Sequence, residues 1–428
     1  MTKIIRILWE TLCTITEMRI LIVSKSDAAG GGASAVAAQL NRLLNFENQS
    51  LHINLWRGQL SANMRALYKY FGKGISALRK LESRLGLVDF LPLELPNLLV
   101  AIRKFRPQIV HFHDLSSAIS PISLFVISRF VPVVFTMHDV SPVTGGCLYP
   151  LDCDRFEKGC GNCPQLGIWP LTTKVDRTKF LKRIRLSVLK SENIFLLAPS
   201  KWLSSIVEKE VRGMKDVHVI SNGVNVAKLP EVSDVDRHKT LSEFRLNPKR
   251  QTILIVASNT SDSRKGFSEA SSVLRSYFLI NEKFQIVLMG GTNQEAIDLL
   301  PKVPIYVAGF ISDESDKLRL YSASDVLLFT SRADNQPLTI LEALVSGIQI
   351  VGFEVGGLTE LQMKYQGITL AQPGDEASVV RHLLENSRMK STENIKSSTK
   401  NLASKTLSEH VFLRNHLEFY KKVIQNEK

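Results

Sequence analysis

Short runs of aliphatic and β-branched residues alternate along the chain with segments whose apolar positions recur every three to four residues. Strands followed by crossover helices produce that rhythm, so it predicts parallel sheets with helices on both faces. In the first half the predicted strands are Arg19–Ser24, His52–Trp56, Ile109–His113, Val131–Thr136, Ile194–Ala198 and Val217–Ile220. A polar stretch from Glu231 to Arg250 interrupts it, and Thr252–Ala257, Phe284–Met289, Ile305–Ala308, Val326–Phe329 and Gln349–Phe353 resume it. The chain therefore reads as α/β, with two doubly wound sheets. An N-terminal domain covers residues 18–225, a linker 226–248, a C-terminal domain 249–405, and residues 406–428 close the chain with a helix whose apolar spacing runs from Ser408 to Gln425. Residues 1–17 read as an extension outside the core; Glu10 in their apolar part argues against a secretory signal, and Met18 is an alternative start. Open α/β sheets bind ligands at the carboxyl ends of strands where strand order reverses, so the expected site is a cleft between the two sheets.

Composition narrows the class. The 428 residues are enough for two or three cores, and 44% hydrophobic with 22% charged residues is ordinary for a folded globular chain. Arg129, two prolines and five serines interrupt the least charged stretch, Leu115–Met137, which reads as core rather than a membrane span. A cytosolic location is expected. The 54 Lys+Arg against 41 Asp+Glu give a net charge of +13, concentrated in Arg57–Arg106 and Lys174–Lys190. Such clusters are either solvated helix faces or contacts for an anionic neighbour. No Cys/His zinc-finger spacing, aromatic RNA-binding signature or helix-turn-helix accompanies them, so an anionic membrane surface is the expected partner and nucleic acid is not.

Several segments carry chemistry. After the first strand, Gly30, Gly31 and Gly32 precede a helix starting near Ala33, and a helix N-terminus behind glycines suits a phosphate. A tight turn explains glycines equally, and the spacing is not that of a dinucleotide fingerprint. His138 ends the strand VPVVFTMHD, where an imidazole can bind a sugar hydroxyl or share developing charge; His111 and His113 read as packing or supporting groups. Four of the five cysteines, Cys147, Cys153, Cys160 and Cys163, fall within CLYPLDCDRFEKGCGNC. Four thiolates can hold a structural zinc, with two disulfides or free thiols as the alternatives. In SNTSDSRKGF, Arg264 and Lys265 occupy a strand-to-helix loop where cations can neutralise a departing diphosphate. In SRADNQPLTILEALVSG, Pro337 and Gly347 bracket a helix Leu338–Ser346, with Asp334 and Asn335 in the loop before it and Glu342 one turn in, placed to chelate vicinal hydroxyls.

Taken in order, these motifs resemble glycosyltransferase family 4, whose members have the GT-B fold of two Rossmann-like domains facing across a cleft and retain anomeric configuration. The resemblance extends over most of the chain from Met18 and is most specific in MHDVSPVTGGCLYPLDCDRFEKGCGNCPQL, which is similar to bacterial enzymes of colanic acid, capsule and O-antigen assembly. It implies that Gly31 and Gly32 contact donor phosphates or acceptor, His138 the donor sugar, and Lys265 the phosphates. Asp334 and Glu342 match the family's paired acids, one near the donor sugar and the other on the ribose; Leu338 and Thr339 lie by the diphosphate, and Ser221–Asn225 form the turn into the linker. Thr260 stands where the family often has arginine, with Arg264 as a substitute, and Asp334 is a methylene shorter than the usual glutamate. The implied activity is transfer of a sugar from a nucleotide-diphosphate donor to a lipid-linked saccharide on the inner face of the cytoplasmic membrane, with no cofactor required for catalysis. An inactive sugar-binding or scaffolding relative, and a phosphorylase or sugar-phosphate synthase of the same fold, are the alternatives.

Overall fold

The computed structural model describes residues 18–46, 48–55, 77–116, 118–230, 234–257, 259–388 and 392–425. The expected extension at 1–17 and part of the first basic cluster, residues 56–76, lie outside them. Two six-stranded sheets form the framework. The first has the order β2-β1-β3-β4-β5-β6, from β1 (Arg19–Ser24), β2 (Gln49–Asn54), β3 (Ile109–His113), β4 (Val133–Thr136), β5 (Ile194–Ala198) and β6 (Val217–Val219). The second runs β12-β11-β10-β7-β8-β9, from β7 (Gln251–Ala257), β8 (Phe284–Gly290), β9 (Ile305–Gly309), β10 (Val326–Phe329), β11 (Gln349–Phe353) and β12 (Ile368–Ala371). Pairing is parallel from β2 through β5 and throughout the second sheet. Central strands are buried on both faces, as covered parallel sheets require: all of β3, β4, β10 and β11 is buried.

Departures from the predicted strands have local causes. β2 begins three residues early because the Gln49 amide already bonds the Met18 carbonyl at 3.1 Å. β4 starts after Pro132, which has no N–H to give but accepts from Val110 at 3.0 Å. β12 was not foreseen; its four residues, ITLA, are too few for a periodicity to register. The segment expected as a linker instead contains the helix Asp234–Glu243, whose Leu241 is fully buried and whose Arg237 Nη2 reaches both Asp325 carboxylate oxygens at 2.9 Å.

The chain separates into two compact units: the described residues up to Leu197, with Val207–His218 and the chain from His416; and Ala198–Ile206 with Val219–Asn415. The boundary thus falls after His218 rather than after 225, and the last helix, Glu409–Gln425, contributes to both. No described helix is long and apolar enough to cross a membrane. Within the second basic cluster, Lys182 and Arg185 turn inward: Lys182 Nζ pairs with Glu210 at 2.6 Å and Arg185 Nη2 lies 3.8 Å from Asp89. Lys174, Arg177, Lys179 and Arg183 remain exposed.

The second unit's core centres on the helix Leu338–Ser346, buried from Ile340 to Ser346 and ended by Gly347 at φ 74°. A helix apolar on nearly every side must be packed on every side. Leu341→Ala is therefore expected to cost about 2–5 kcal/mol, read as a lower urea midpoint, whereas Leu279→Ala, at an 86% exposed position, stays within about 0.5 kcal/mol. Equal shifts for the two would show that this helix is not the core.

Candidate active site

In each sheet the strand order reverses once, between β1 and β3 in the first and between β7 and β10 in the second. Crossovers on the two sides of such a point leave in opposite directions and open a space at the carboxyl ends of the strands. The chemistry-bearing residues named from the sequence are concentrated there.

In the second unit, β7 leads into a loop closed by Asp262, whose Oδ1 accepts from the Arg264 amide at 3.0 Å and starts the short turn Ser263–Lys265. Gly266, at φ 66°, ends that turn; a Cβ there would sit 1.8 Å from the Thr330 carbonyl oxygen. Only a glycine lets this loop press on the loop following β10. The contact is sealed by Thr330 Oγ1 donating to the Gly266 carbonyl at 2.7 Å and the Arg332 amide donating to the Arg264 carbonyl at 2.8 Å. It brings Lys265 Nζ to 2.7 Å from Asp334 Oδ2, with Arg264 Nη1 3.7 Å from the same oxygen. Arg264 also meets Asp262 at 3.1 Å. Both cations are thus matched by carboxylates, and an incoming anion would compete with them.

The loop continues through Asn335, which is buried, bonds Ser200 through its side chain and accepts from the Gly357 amide at 2.9 Å. Gly356, at φ 55°, lies where a Cβ would be 1.7 Å from the Asp334 carbonyl oxygen, holding the loop from its other side. Gln336 Oε1 accepts from the Asn222 amide at 2.8 Å, which ties in the Ser221–Asn225 turn. Pro337 is the residue just before the helix rather than in its first turn, and no side chain caps that end. The Ile340 amide bonds the Pro337 carbonyl at 3.1 Å, whereas those of Leu338 and Thr339, at the very start of the helix, have no helical acceptor. Glu342, 8% exposed, pairs with Lys317 Nζ at 2.5 Å. Burial, and then the Glu342 carboxylate, push the Tyr321 phenol well above its ordinary range.

In the first unit, Gly31 (φ 107°) precedes the helix Gly32–Leu44, one residue earlier than predicted; both glycines are exposed, with open space where a Cβ would lie. Gly30 is the sterically required member, since a Cβ there would come 2.2 Å from that of Ser26. His138 follows β4, its Nε2 3.1 Å from His113 Nδ1. His113 packs at 4.2 Å between ring centroids on His111, which bonds Tyr420 Oη at 2.6 Å and Thr136 Oγ1 at 2.7 Å. Burial, and then His416, lower the His138 pKa to about 4, and burial with the neighbouring histidines takes His111 and His113 well below 6.5. His138 is therefore an uncharged hydrogen-bonding group at neutral pH. Among the described residues, His113 Nε2 and Asn54 Oδ1 are buried without a hydrogen-bond partner, both at carboxyl ends of strands.

The structure thus brings Arg264, Lys265, Asp334, Asn335, Leu338, Thr339 and Glu342 onto neighbouring elements of the second unit, and Gly31, Gly32 and His138 onto strand ends of the first. The four cysteines line one small cavity. A cavity of about 290 Å³ lies elsewhere, beside Gln251 and Gln349 at the amino ends of β7 and β11. Sequence reasoning missed Lys317, Ser200 and Gln336, whose partners lie 25 to 135 positions away. Gly356 and Gly357 carried a signal, a glycine pair after a strand, that was not used.

Comparison with known proteins gives a consistent picture. A family model for Glycosyltransferase Family 4 matches residues 72–228, and one for Glycosyl transferases group 1 matches residues 250–386. WcaC of Escherichia coli (strain K12), named for glycosyl transfer in colanic acid biosynthesis, is 27% identical over 289 residues, covering 63% of this chain. The match spans 65% of WcaC's own length. The fold is shared with sucrose-phosphate synthase of Thermosynechococcus elongatus (TM-score 0.67, 14% identity, 96% of this chain and 100% of that one). It is shared also with Anabaena HepE in complex with UDP-glucose (TM-score 0.61, 15% identity, 95% and 100%). Glycosyltransferase models thus match both halves of the chain in order, Family 4 in the first and group 1 in the second, and the two sheets have the GT-B fold.

Proposed function

We propose that this protein is a retaining glycosyltransferase that moves a sugar from a nucleotide-diphosphate donor to a lipid-linked saccharide in bacterial surface polysaccharide assembly. The observation that carries the reading is the cluster at the second sheet's switch point, where Lys265 and Arg264 share Asp334 beside the start of the helix Leu338–Ser346. A diphosphate needs cations and unpaired amides, and this is where the unit gathers them. HepE, of the same fold, was solved with UDP-glucose, which supports a nucleotide-sugar donor, and WcaC's name supports surface polysaccharide as the product class.

The roles follow from the chemistry. As the sugar's C1–oxygen bond breaks, negative charge grows on the departing diphosphate, and Lys265, Arg264 and the amides at Leu338 and Thr339 stabilise it. Asp334 keeps the lysine extended until the diphosphate takes its place, and Glu342, oriented by its contact with Lys317, receives ribose hydroxyls. Neutral His138 hydrogen-bonds a sugar hydroxyl. Retention proceeds by attack from the face the diphosphate leaves: the acceptor oxygen bonds C1, and its proton passes to a diphosphate oxygen. A glycosidase-like route would need a second carboxylate about 5 Å from the first, in position to attack.

Substitution tests these roles. Lys265→Ala is expected to lower kcat about 10²–10³-fold. Glu342→Ala should raise the donor KM about 10–100-fold, the effect of losing one hydrogen bond to a charged group. Wild-type transfer rates in both variants, measured with a panel of nucleotide sugars, would remove the assignment and favour a sugar-binding relative.

The histidines predict an acid limit. Because the folded pKa of His138, about 4, lies below the ordinary 6.5, its neutral form stabilises the fold fully above pH 6.5. That contribution is lost as pH falls from 6.5 toward 4. Melting temperature should drop between about pH 7 and pH 5 more steeply in the wild type than in His138→Asn; parallel profiles would contradict a buried neutral imidazole.

A lipid-linked acceptor places the protein against an anionic surface, with Lys174, Arg177, Lys179 and Arg183 exposed to meet it. Binding to vesicles containing anionic lipid should then strengthen as salt is lowered. Indifference to salt would remove the membrane from the reading.

A further inference from the structure

Residues 139–173, within the loop between β4 and the helix Thr178–Leu189, have no part in the roles described above, yet they concentrate the chain's thiols. Cys147, Cys153, Cys160 and Cys163 all line a single cavity of about 10 Å³, room for about one atom-sized guest. None of the four is in a disulfide. The backbone N–H of Gly145 points at the Cys160 sulfur, and those of Gln165 and Leu166 at the Cys163 sulfur. Such donors stabilise thiolates far more than thiols. Two buried cations stand close by, Lys182 near Cys160 and Arg185 near Cys147.

The loop is buried from Asp139 to Cys147 but exposed or only partly buried from 151 to 169. The buried cluster beneath it consists of Val88, Cys147, Leu171 and Leu181, with Phe90 and Cys163 against it. Gly159, Cys160, Gly161 and Asn162 run in succession through positive φ, at 100°, 64°, 96° and 49°. Residues 151–169 are all exposed or only partly buried, so this irregular segment has few contacts of its own to hold its backbone. A dication among four cysteine sulfurs resolves that difficulty, because its bonds cross-link the loop.

We propose that this cavity is a structural Zn²⁺ site in which Cys147, Cys153, Cys160 and Cys163 each supply a thiolate, pinning the loop that continues from His138. Four sulfurs suit a closed tetrahedral zinc shell, with no position left for substrate. Among the described residues no group of three or more His, Cys, Asp or Glu side chains is placed to hold a metal ion as it stands, so binding requires the four sulfurs to close on the ion.

The test uses the full chain purified in reductant without added metal. Elemental analysis is expected to find about one zinc per chain; Cys153→Ser and Cys163→Ser should each lose most of it and melt several degrees lower, and Cys13→Ser should keep it. Should those variants fail to fold, the wild type suffices. A strong chelator would then release the zinc and expose four additional thiols to a titrant, and cobalt(II) exchanged into the site would give the intense visible bands of a tetrahedral sulfur field. Metal-free protein whose thiols all react at once overturns the proposal. So do paired disulfides in non-reducing peptide maps, or iron in place of zinc.

Discussion

The second unit depends on one close approach, that of the Gly266 backbone to the carbonyl of Thr330. Parallel strands β7 and β10 are neighbours, and their helices leave on opposite sides, so the loops after them would otherwise diverge. With no side chain at Gly266 the two loops touch, and the hydrogen bonds from Thr330 Oγ1 and the Arg332 amide close the junction. The Lys265–Asp334 pair is a consequence of that junction rather than its cause. A largely buried ion pair contributes little net stability because desolvation offsets its attraction, but held at 2.7 Å by a rigid backbone it fixes where a flexible lysine points. Gly356 repeats the device on the far side of Asp334, so the acid is clamped between two backbone contacts.

In the first unit the corresponding constraint is desolvation. Five polar side chains, His52, His111, His113, His138 and Asn54, gather near the carboxyl ends of β2, β3 and β4. The imidazoles stay neutral because burial penalises the cation more than their few polar neighbours favour it. Neutral histidines can each donate and accept one hydrogen bond. That makes the row a relay of tautomers: a proton on His113 Nδ1 requires His138 Nε2 to accept, and the reverse. Tyr420 and His416 reach this row from the last helix.

How much of this was legible in the sequence follows from the range of each interaction. Strand-helix alternation, the helix between Pro337 and Gly347, the Arg264-Lys265 pair after one strand and the Asp334…Glu342 pair after another are local patterns, and they could be read directly. The links among them were not local. Lys317 meets Glu342 across 25 positions and Ser200 meets Asn335 across 135, and no periodicity records either pairing. His113, at the end of its strand, reads as packing or a supporting group, and the register that aligns it with Thr136 sets it beside the end of the strand that leads to His138. The Asp234–Glu243 helix looked like a linker because its sequence, DVDRHKTLSE, is mostly polar; a helix anchored by one buried leucine and one arginine-carboxylate contact needs little hydrophobic pattern.

Charge shows the same limit from the other side. A net +13 and a run of seven basic residues from Lys174 to Lys190 suggest a uniformly positive surface. Folding divides that run by helical period: Lys182 and Arg185 lie on the inner face of the helix Thr178–Leu189, matched by Glu210 and Asp89, while Lys179 and Arg183 lie on the outer face. The inner pair cannot serve a surface partner without leaving Glu210 and Asp89 buried and uncompensated, a larger penalty than exposed attraction repays. Only the outer set can act electrostatically at a distance, so the sequence count overstates the field an anionic partner would meet. The inner pair instead faces the cysteine loop, where fixed positive charge bears on the ionisation of thiols rather than on association with lipid.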